Sequence, residues 1–160
     1  MPCYLFTYHA YGSWMADRPG GFVHRGQGLL PPDHKLAAHY RHNVAQDYLP
    51  FDANVQRLIV EECVVASEKQ SFRLHHVATD PSHAHVLISW PDDRPWQPLR
   101  NGVKSSFTRR LNRDVRRRKW FSKGASRKQV RNRFHFDYLI AKYLPSHRGW
   151  KWEEGRGTFV

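Results

Sequence analysis

Residues 72–90, FRLHHVATDPSHAHVLISW, constrain this chain more than any other stretch. Two runs rich in apolar and β-branched residues flank Asp80-Pro81-Ser82, a cluster of turn formers, and the segment predicts a β-hairpin. Successive side chains on a strand point to opposite faces. Along residues 83–90 the alternation puts Ala84, Val86, Ile88 and Trp90 on one face, the natural core face. His83, His85, Leu87 and Ser89 share the other. The hairpin therefore needs a core on one side and displays two imidazoles side by side on the opposite side.

The remaining pattern supplies the layers around it. Residues 4–11 (YLFTYHAY) are aromatic-rich and predict a first strand. Residues 15–34, with Arg18-Pro19-Gly20-Gly21 and Pro31-Pro32, predict a long loop, and residues 36–47 a short helix. A second helix, capped by Asn54 and running to about residue 70, carries Val55, Leu58, Ile59, Cys63 and Ala66 at helical spacing. Residues 91–98 predict a Pro-rich loop and residues 102–112 a basic helix. A last helix over 137–144 is stopped by Pro145. A later strand at 119–122 fits the pattern, and the aromatic, glycine-rich tail GWKWEEGRGTFV is expected to dock back on the sheet. This order suits the α+β class, an antiparallel sheet with helices on one face, built as one domain over residues 1–160.

A formal net charge of +12 is not required by any such fold and points to a polyanionic partner, nucleic acid first and acidic lipid or protein second. No apolar run approaches the roughly 20 residues that span a bilayer. The start MPCYLFTYHAYGSW has no signal-peptide pattern, and the reading is a cytoplasmic protein. Cys3 and Cys63 make neither a disulfide framework nor a zinc knuckle, and Cys63 reads as a buried small hydrophobe.

Two histidines on one strand face are half of a metal site. In a chain with 11 histidines such a pair also arises by chance, and His9, His24, His34, His39 and His42 read as surface. His147 follows Tyr143 by one helical turn, the spacing at which a metal ligand and a tyrosine both address one phosphate. Alternatively Tyr143 extends the apolar stripe of Phe136, Leu139 and Ile140 into the core and His147 is exposed. Spacing alone leaves both open. Lys104, Arg109, Arg110 and Arg113 lie on or just after the basic helix. Arg116, Arg117, Arg118 and Lys119 form a dense run, with Arg127, Lys128, Arg131 and Arg133 beyond. These are a solvated face or a phosphate-binding surface. Trp96, Trp120 and Trp150 are either core or platforms on which unpaired bases stack.

Taken together, these segments resemble one family. HAHVLISW resembles the HUH motif, two histidines separated by a hydrophobic residue, of enzymes that process single-stranded DNA. YHAYGSWMADRPGG resembles the opening strand and loop of the single-tyrosine transposases of small insertion sequences and their repeat-associated relatives. VKSSFTRRLN resembles their basic helix, and KYLPSHRG the stretch with their catalytic tyrosine. WFSKGASR resembles their Trp-Ser-x-Gly-Gly-Ser stretch, with Ala125 in place of the second glycine.

The resemblance implies a ferredoxin-like (RRM-like) HUH nuclease domain. It implies Tyr143 as nucleophile and His83, His85 and His147 on a divalent metal, Mg²⁺ or Mn²⁺. His147 stands where the family often has glutamine or asparagine. Tyr138 is the rival nucleophile, about 140° around an α-helix from Tyr143, so that both cannot face one metal. The implied activity is a DNA endonuclease and strand-transferase with a covalent 5′-phosphotyrosine, acting on hairpin-forming single-stranded DNA as a homodimer. Lys104, Arg109, Arg110, Arg113, Arg116, Arg117, Arg118, Lys119, Trp120, Arg127 and Lys128 are the expected DNA-binding residues. The rival readings are a non-catalytic nucleic-acid-binding module, a metal phosphodiesterase that activates water, and an inactive descendant.

Overall fold

The computed structural model describes residues 1–13, 21–24, 26–43 and 46–160. Chain order is β1 (Cys3–His9), β2 (Phe22–His24), β3 (Gly28–Leu30), α1 (His34–Asn43), α2 (Ala53–Lys69), β4 (Arg73–Thr79) and β5 (His83–Ser89). There follow α3 (Trp96–Asp114), β6 (Ser126–Gln129), α4 (Arg133–Tyr138), a π-helical turn (Leu139–Tyr143), a 3₁₀ turn (Leu144–Ser146), β7 (Lys151–Glu153) and β8 (Gly157–Phe159).

Six strands form one sheet in the order β6-β1-β5-β4-β7-β8, and every pair is antiparallel. Within it, β1, α2, β4, β5, α3 and β6 follow one another as β-α-β-β-α-β, and their strands lie in the spatial order fourth, first, third, second. That is the ferredoxin-like arrangement, and the fold class is α+β. The predicted hairpin is β4 and β5, joined at Asp80-Pro81-Ser82, where the Asp80 N–H donates to the His83 carbonyl at 3.0 Å.

The helices follow from caps and stripes. Asp52, and not Asn54, caps α2: its carboxylate accepts the Val55 N–H at 2.8 Å. Asn54 is already inside the first turn and accepts from Arg57. Helix α3 begins six residues earlier than the basic pattern suggests, directly after Pro95, because Leu99, Val103, Phe107 and Leu111 continue one buried stripe across both portions. These side chains meet Tyr4, Phe6 and Tyr8 of β1 and Ala84, Val86, Ile88 and Trp90 of β5 in the main core. Each fully buried large apolar side chain there contributes roughly 1.5–3 kcal/mol.

The opposite face is covered too, which corrects the expectation of helices on one face. Leu139 and Leu144 from the C-terminal segment pack on Leu5, Ala78 and Leu87 in a second cluster. The expected strand at 119–122 reduces to one bridge, Ala10 to Phe121. Trp120 and Phe121 enter the main core, and the pairing strand forms only after Gly124, whose φ of +74° turns the chain. The tail does dock: β7 pairs with β4, and β8 with β7. A polar chain pins it, with His75 Nε2 2.7 Å from the Ser89 hydroxyl and Nδ1 3.1 Å from the Glu154 carboxylate.

The last helix starts earlier than expected, at Arg133, because Asn132 caps it through the His135 N–H. In the loop expected over 15–34, residues 22–24 and 28–30 pair as β2 and β3. Residues 14–20, 25, 44 and 45 lie outside the described residues, and so does much of the YHAYGSWMADRPGG stretch; the side chain of His24 does as well. Among the described residues no helix is long and apolar enough to cross a membrane.

Candidate active site

The strand register builds the site. Thr7 pairs with His85 and His9 with His83 between β1 and β5, and these side chains point away from the main core. His147 arrives from the C-terminal segment. One ring nitrogen from each of His83, His85 and His147 lies within 4.8 Å of the others. The ring centroids are 4.6 Å apart for His83 and His85 and 4.6 Å for His85 and His147.

The other nitrogen of each ring is held by the protein. Nδ1 of His147 is 3.1 Å from the carbonyl oxygens of both Tyr143 and Leu144. Carbonyls only accept, so Nδ1 carries the hydrogen and a neutral ring keeps its lone pair on Nε2. Nδ1 of His83 is 3.0 Å from the Asp80 carboxylate and 2.8 Å from the Ser82 hydroxyl. Nδ1 of His85 is 2.7 Å from the Thr7 hydroxyl. All three rings are therefore oriented to turn Nε2 to the common centre. This is the donor set of an imidazole metal site with its supporting hydrogen bonds in place.

The electrostatics agree. Burial first, then the neighbouring His83 and His147 rings, push the His85 pKa down to about 3, so the ring is neutral at pH 7 and its lone pair is available. Burial alone would raise the Asp80 carboxyl, but hydrogen bonds from His83 and Ser82 outweigh it and hold Asp80 well below the ordinary carboxylate range. Asp80 is thus an anion against His83.

Tyr143 stands at the centre, its hydroxyl 3.3 Å from Nε2 of His85. It is half-buried beside the second cluster, so the apolar-stripe reading and the functional one hold together. Burial, then Tyr138 and Asp80, raise its pKa. The backbone is what aims it. Residues 139–143 form a π turn, in which the Leu144 N–H donates to the Leu139 carbonyl, five residues back. Such turns are rare, and they are frequent at functional sites. Positions five apart share a face there, which corrects the expectation from α-helical spacing: Tyr138 lies beside Tyr143, ring centroids 6.5 Å apart at 27°. Tyr138 nonetheless does not line the histidine cleft, a space of about 340 Å³ walled by Thr7, His9, Ser82, His83, His85 and Tyr143 among others.

Pro145 does not keep His147 from joining His83 and His85. It sits in the first turn of the 3₁₀ segment, where no backbone N–H is required of it. The chain leaves helical geometry at His147, ψ 141°, and the His147 ring joins those of His83 and His85 from a turn. Sequence reasoning missed Thr7, Asp80 and Ser82, and read His9 as surface, whereas its ring is 5.7 Å from that of His83. The alternation of β1, with Tyr4, Phe6 and Tyr8 on the core face, was the available signal for Thr7 and His9.

The expected DNA-binding residues separate into two groups. Helix α3 covers the face of the sheet opposite the histidines. On it Arg110 is ion-paired to Glu61, Glu62 and Asp114, and Arg113 to Asp114. Lys104 donates to the carbonyls of Ser122 and Gly124, and Arg109 is exposed near Ser106. Trp120 is 3% exposed in the main core, with Nε1 donating to Asn112, so it has no free face for a base and is corrected to a core residue. Arg118 lies over its ring, Lys119 lies over Tyr11, and Arg116 and Arg117 are exposed. Arg127 and Lys128 lie on β6, at the sheet edge beside Tyr143, and both help line a cleft that reaches it.

No protein-family model and no curated protein matches the chain. Similar solved structures include a REP-associated tyrosine transposase bound to a REP hairpin, with 11% identity over 87% of this chain and 62% of that one and a TM-score of 0.49. The present chain thus spans less than two thirds of that protein. Another is a protein of Deinococcus radiodurans R1 described as a candidate transposase, with 9% identity over 93% of both chains and a TM-score of 0.46.

Proposed function

We propose that this protein nicks and rejoins single-stranded DNA in the manner of the HUH single-tyrosine transposases, with Tyr143 as nucleophile. The observation that carries the reading is the Tyr143 hydroxyl at 3.3 Å from Nε2 of His85, inside a cluster of three histidines with converging nitrogens. His83, His85 and His147 would hold a divalent ion, Mn²⁺ or Mg²⁺, imidazole favouring the former. Bound there, the ion supplies Lewis-acid polarisation of the scissile phosphate and orients it.

The chain does the rest. Tyr143 Oη attacks phosphorus, the bond from phosphorus to the 3′ oxygen breaks, and DNA becomes joined to the protein through a 5′-phosphotyrosine. The phenol gives up one proton and the released 3′ oxygen takes one, so charge balances and rejoining needs no nucleotide cofactor. Because burial raises the Tyr143 pKa, proton loss belongs to the attack itself instead of preceding it. Thr7 and Asp80 act by orienting His85 and His83. The net charge of +12 supports a nucleic-acid partner. Hairpin-forming substrates, a homodimeric assembly and a role in DNA transposition come from the family resemblance.

The test is incubation with Mn²⁺ and labelled hairpin-bearing single strands from the flanks of the gene, followed by a denaturing gel. A protein–DNA adduct lost in Tyr143→Phe and kept in Tyr138→Phe is expected. Cleavage without an adduct would favour a phosphodiesterase, and binding without cleavage a non-catalytic module or an inactive descendant.

A further inference from the structure

Two exposed aromatic rings line a basic cleft that leads to Tyr143. Phe134 is 83% exposed and Tyr138 50%, against a core in which rings such as Phe107 and Trp90 are fully buried. They are one turn apart on α4 and so face the same way. Both line an open cleft of about 790 Å³ between α4 and the edge strand β6. Tyr138 also lines a narrower space of about 410 Å³ whose wall includes Tyr143. The two spaces share Arg127, Lys128 and Tyr138, so they run together and end at the Tyr143 side chain.

The cleft is cationic. Arg127, Lys128 and Arg131 line it, and among the described residues no carboxylate does. The strand register divides the charges. Lys128 pairs with Leu5, and its side chain is on the histidine face. Arg127 pairs with Phe6, and its guanidinium lies 4.1 Å over the Trp96 ring. Lys128 and Arg131 are therefore the cations free to meet a ligand inside the cleft. A row of unburied rings beside unpaired cations is the combination that holds unpaired bases and their phosphates. A duplex fits it poorly, because its base faces are already stacked.

We propose that this cleft seats the unpaired nucleotides adjoining the scissile phosphate. Tyr138 and Phe134 are the surfaces on which bases stack, and Lys128 and Arg131 engage the phosphates. The assignment rests on the single-strand nickase reading and gives Tyr138 a positioning role in place of a nucleophilic one. The π turn is what makes it work: it sets Tyr138 next to Tyr143, so a base held on Tyr138 brings its neighbouring phosphate to the Tyr143 hydroxyl.

Fluorescence anisotropy of a labelled unstructured oligothymidine, with the full chain in EDTA, separates this from the chemistry. Tyr138→Ala and Phe134→Ala are each expected to weaken binding about five-fold or more, the factor that 1 kcal/mol of stacking carries. Tyr138→Phe, which keeps the ring face, is expected to bind within two-fold of the wild type. Circular dichroism spectra and melting temperatures of these exposed-site variants should match the wild type. Unchanged affinity in both alanine variants would overturn the proposal, as would equal loss in Tyr138→Phe and Tyr138→Ala. Absent binding by the wild type, or equal affinity for a blunt duplex of the same length, would also overturn it. If the wild type binds and the alanine variants do not, yet no adduct forms with Mn²⁺, the stacking cleft stands and the nickase reading falls. If the adduct forms while affinities are unchanged, the reverse holds.

Discussion

The Tyr143 hydroxyl lies 3.3 Å from Nε2 of His85, whose other ring nitrogen lies 2.7 Å from the Thr7 hydroxyl. A residue of the first strand, a residue of the central hairpin and a residue 58 positions further on are thereby linked in one line. Metal affinity and nucleophile position should respond together when that line is cut.

Thr7→Val removes the hydroxyl and keeps the shape. Titration calorimetry with Mn²⁺ is expected to show affinity lower by about 10- to 100-fold, the usual effect of losing a supporting hydrogen bond to a ligand histidine. Adduct formation should recover at saturating Mn²⁺. No change in affinity would mean that Thr7 does not orient His85.

Stability should fall in acid through buried neutral histidines. Burial, with the nearby Lys151 and other cations, pushes His76 down to about 4, and among the described residues neither ring nitrogen has a partner of good hydrogen-bond geometry. Burial likewise pushes His85 down to about 3. Between the unfolded value near 6.5 and these folded values the unfolded chain binds more protons, so the contribution is present above pH 6.5 and is lost as pH falls toward 4. For His76 alone the loss is roughly 3 kcal/mol. Urea denaturation in EDTA from pH 7 to pH 4 measures it, and His76→Leu should make the fall shallower. A flat profile would contradict the assignment.

Gly149 is required by close approach. A Cβ there would stand 2.4 Å from the Thr79 carbonyl oxygen and 2.0 Å from the Gln56 side-chain oxygen. Gly149→Ala is expected to cost about 1–3 kcal/mol in denaturant unfolding. It should also weaken Mn²⁺ binding, because the shifted chain carries His147 two residues away. Wild-type metal affinity in that variant would show that His147 is held independently of Gly149.

Trp120 distinguishes the two roles once open for it. Trp120→Ala should cost about 3–5 kcal/mol of stability, as expected for an emptied core site. Trp120→Phe, which fills most of the space, should bind oligothymidine as the wild type does. A selective loss of binding in Trp120→Phe would return Trp120 to the DNA surface.

Several of these features are legible in the sequence because they are local. The alternation in HAHVLISW determines that His83 and His85 share a face, and the turn Asp80-Pro81-Ser82 determines the hairpin that carries them. The stripe of Val55, Leu58, Ile59, Cys63 and Ala66 determines a helix with one buried side. What the tertiary structure decided depends on pairing across the chain. The antiparallel register of β1 on β5, which sets Thr7 beside His85, has no local signature. Whether Trp120 meets solvent or core is a matter of packing against residues far away in sequence. The π turn at 139–143 lies outside any 3.6-residue pattern, and only the second cluster around Leu139 and Leu144 holds it against the sheet. That turn is why Tyr138 and Tyr143 stand together, and why Tyr143 reaches the histidines.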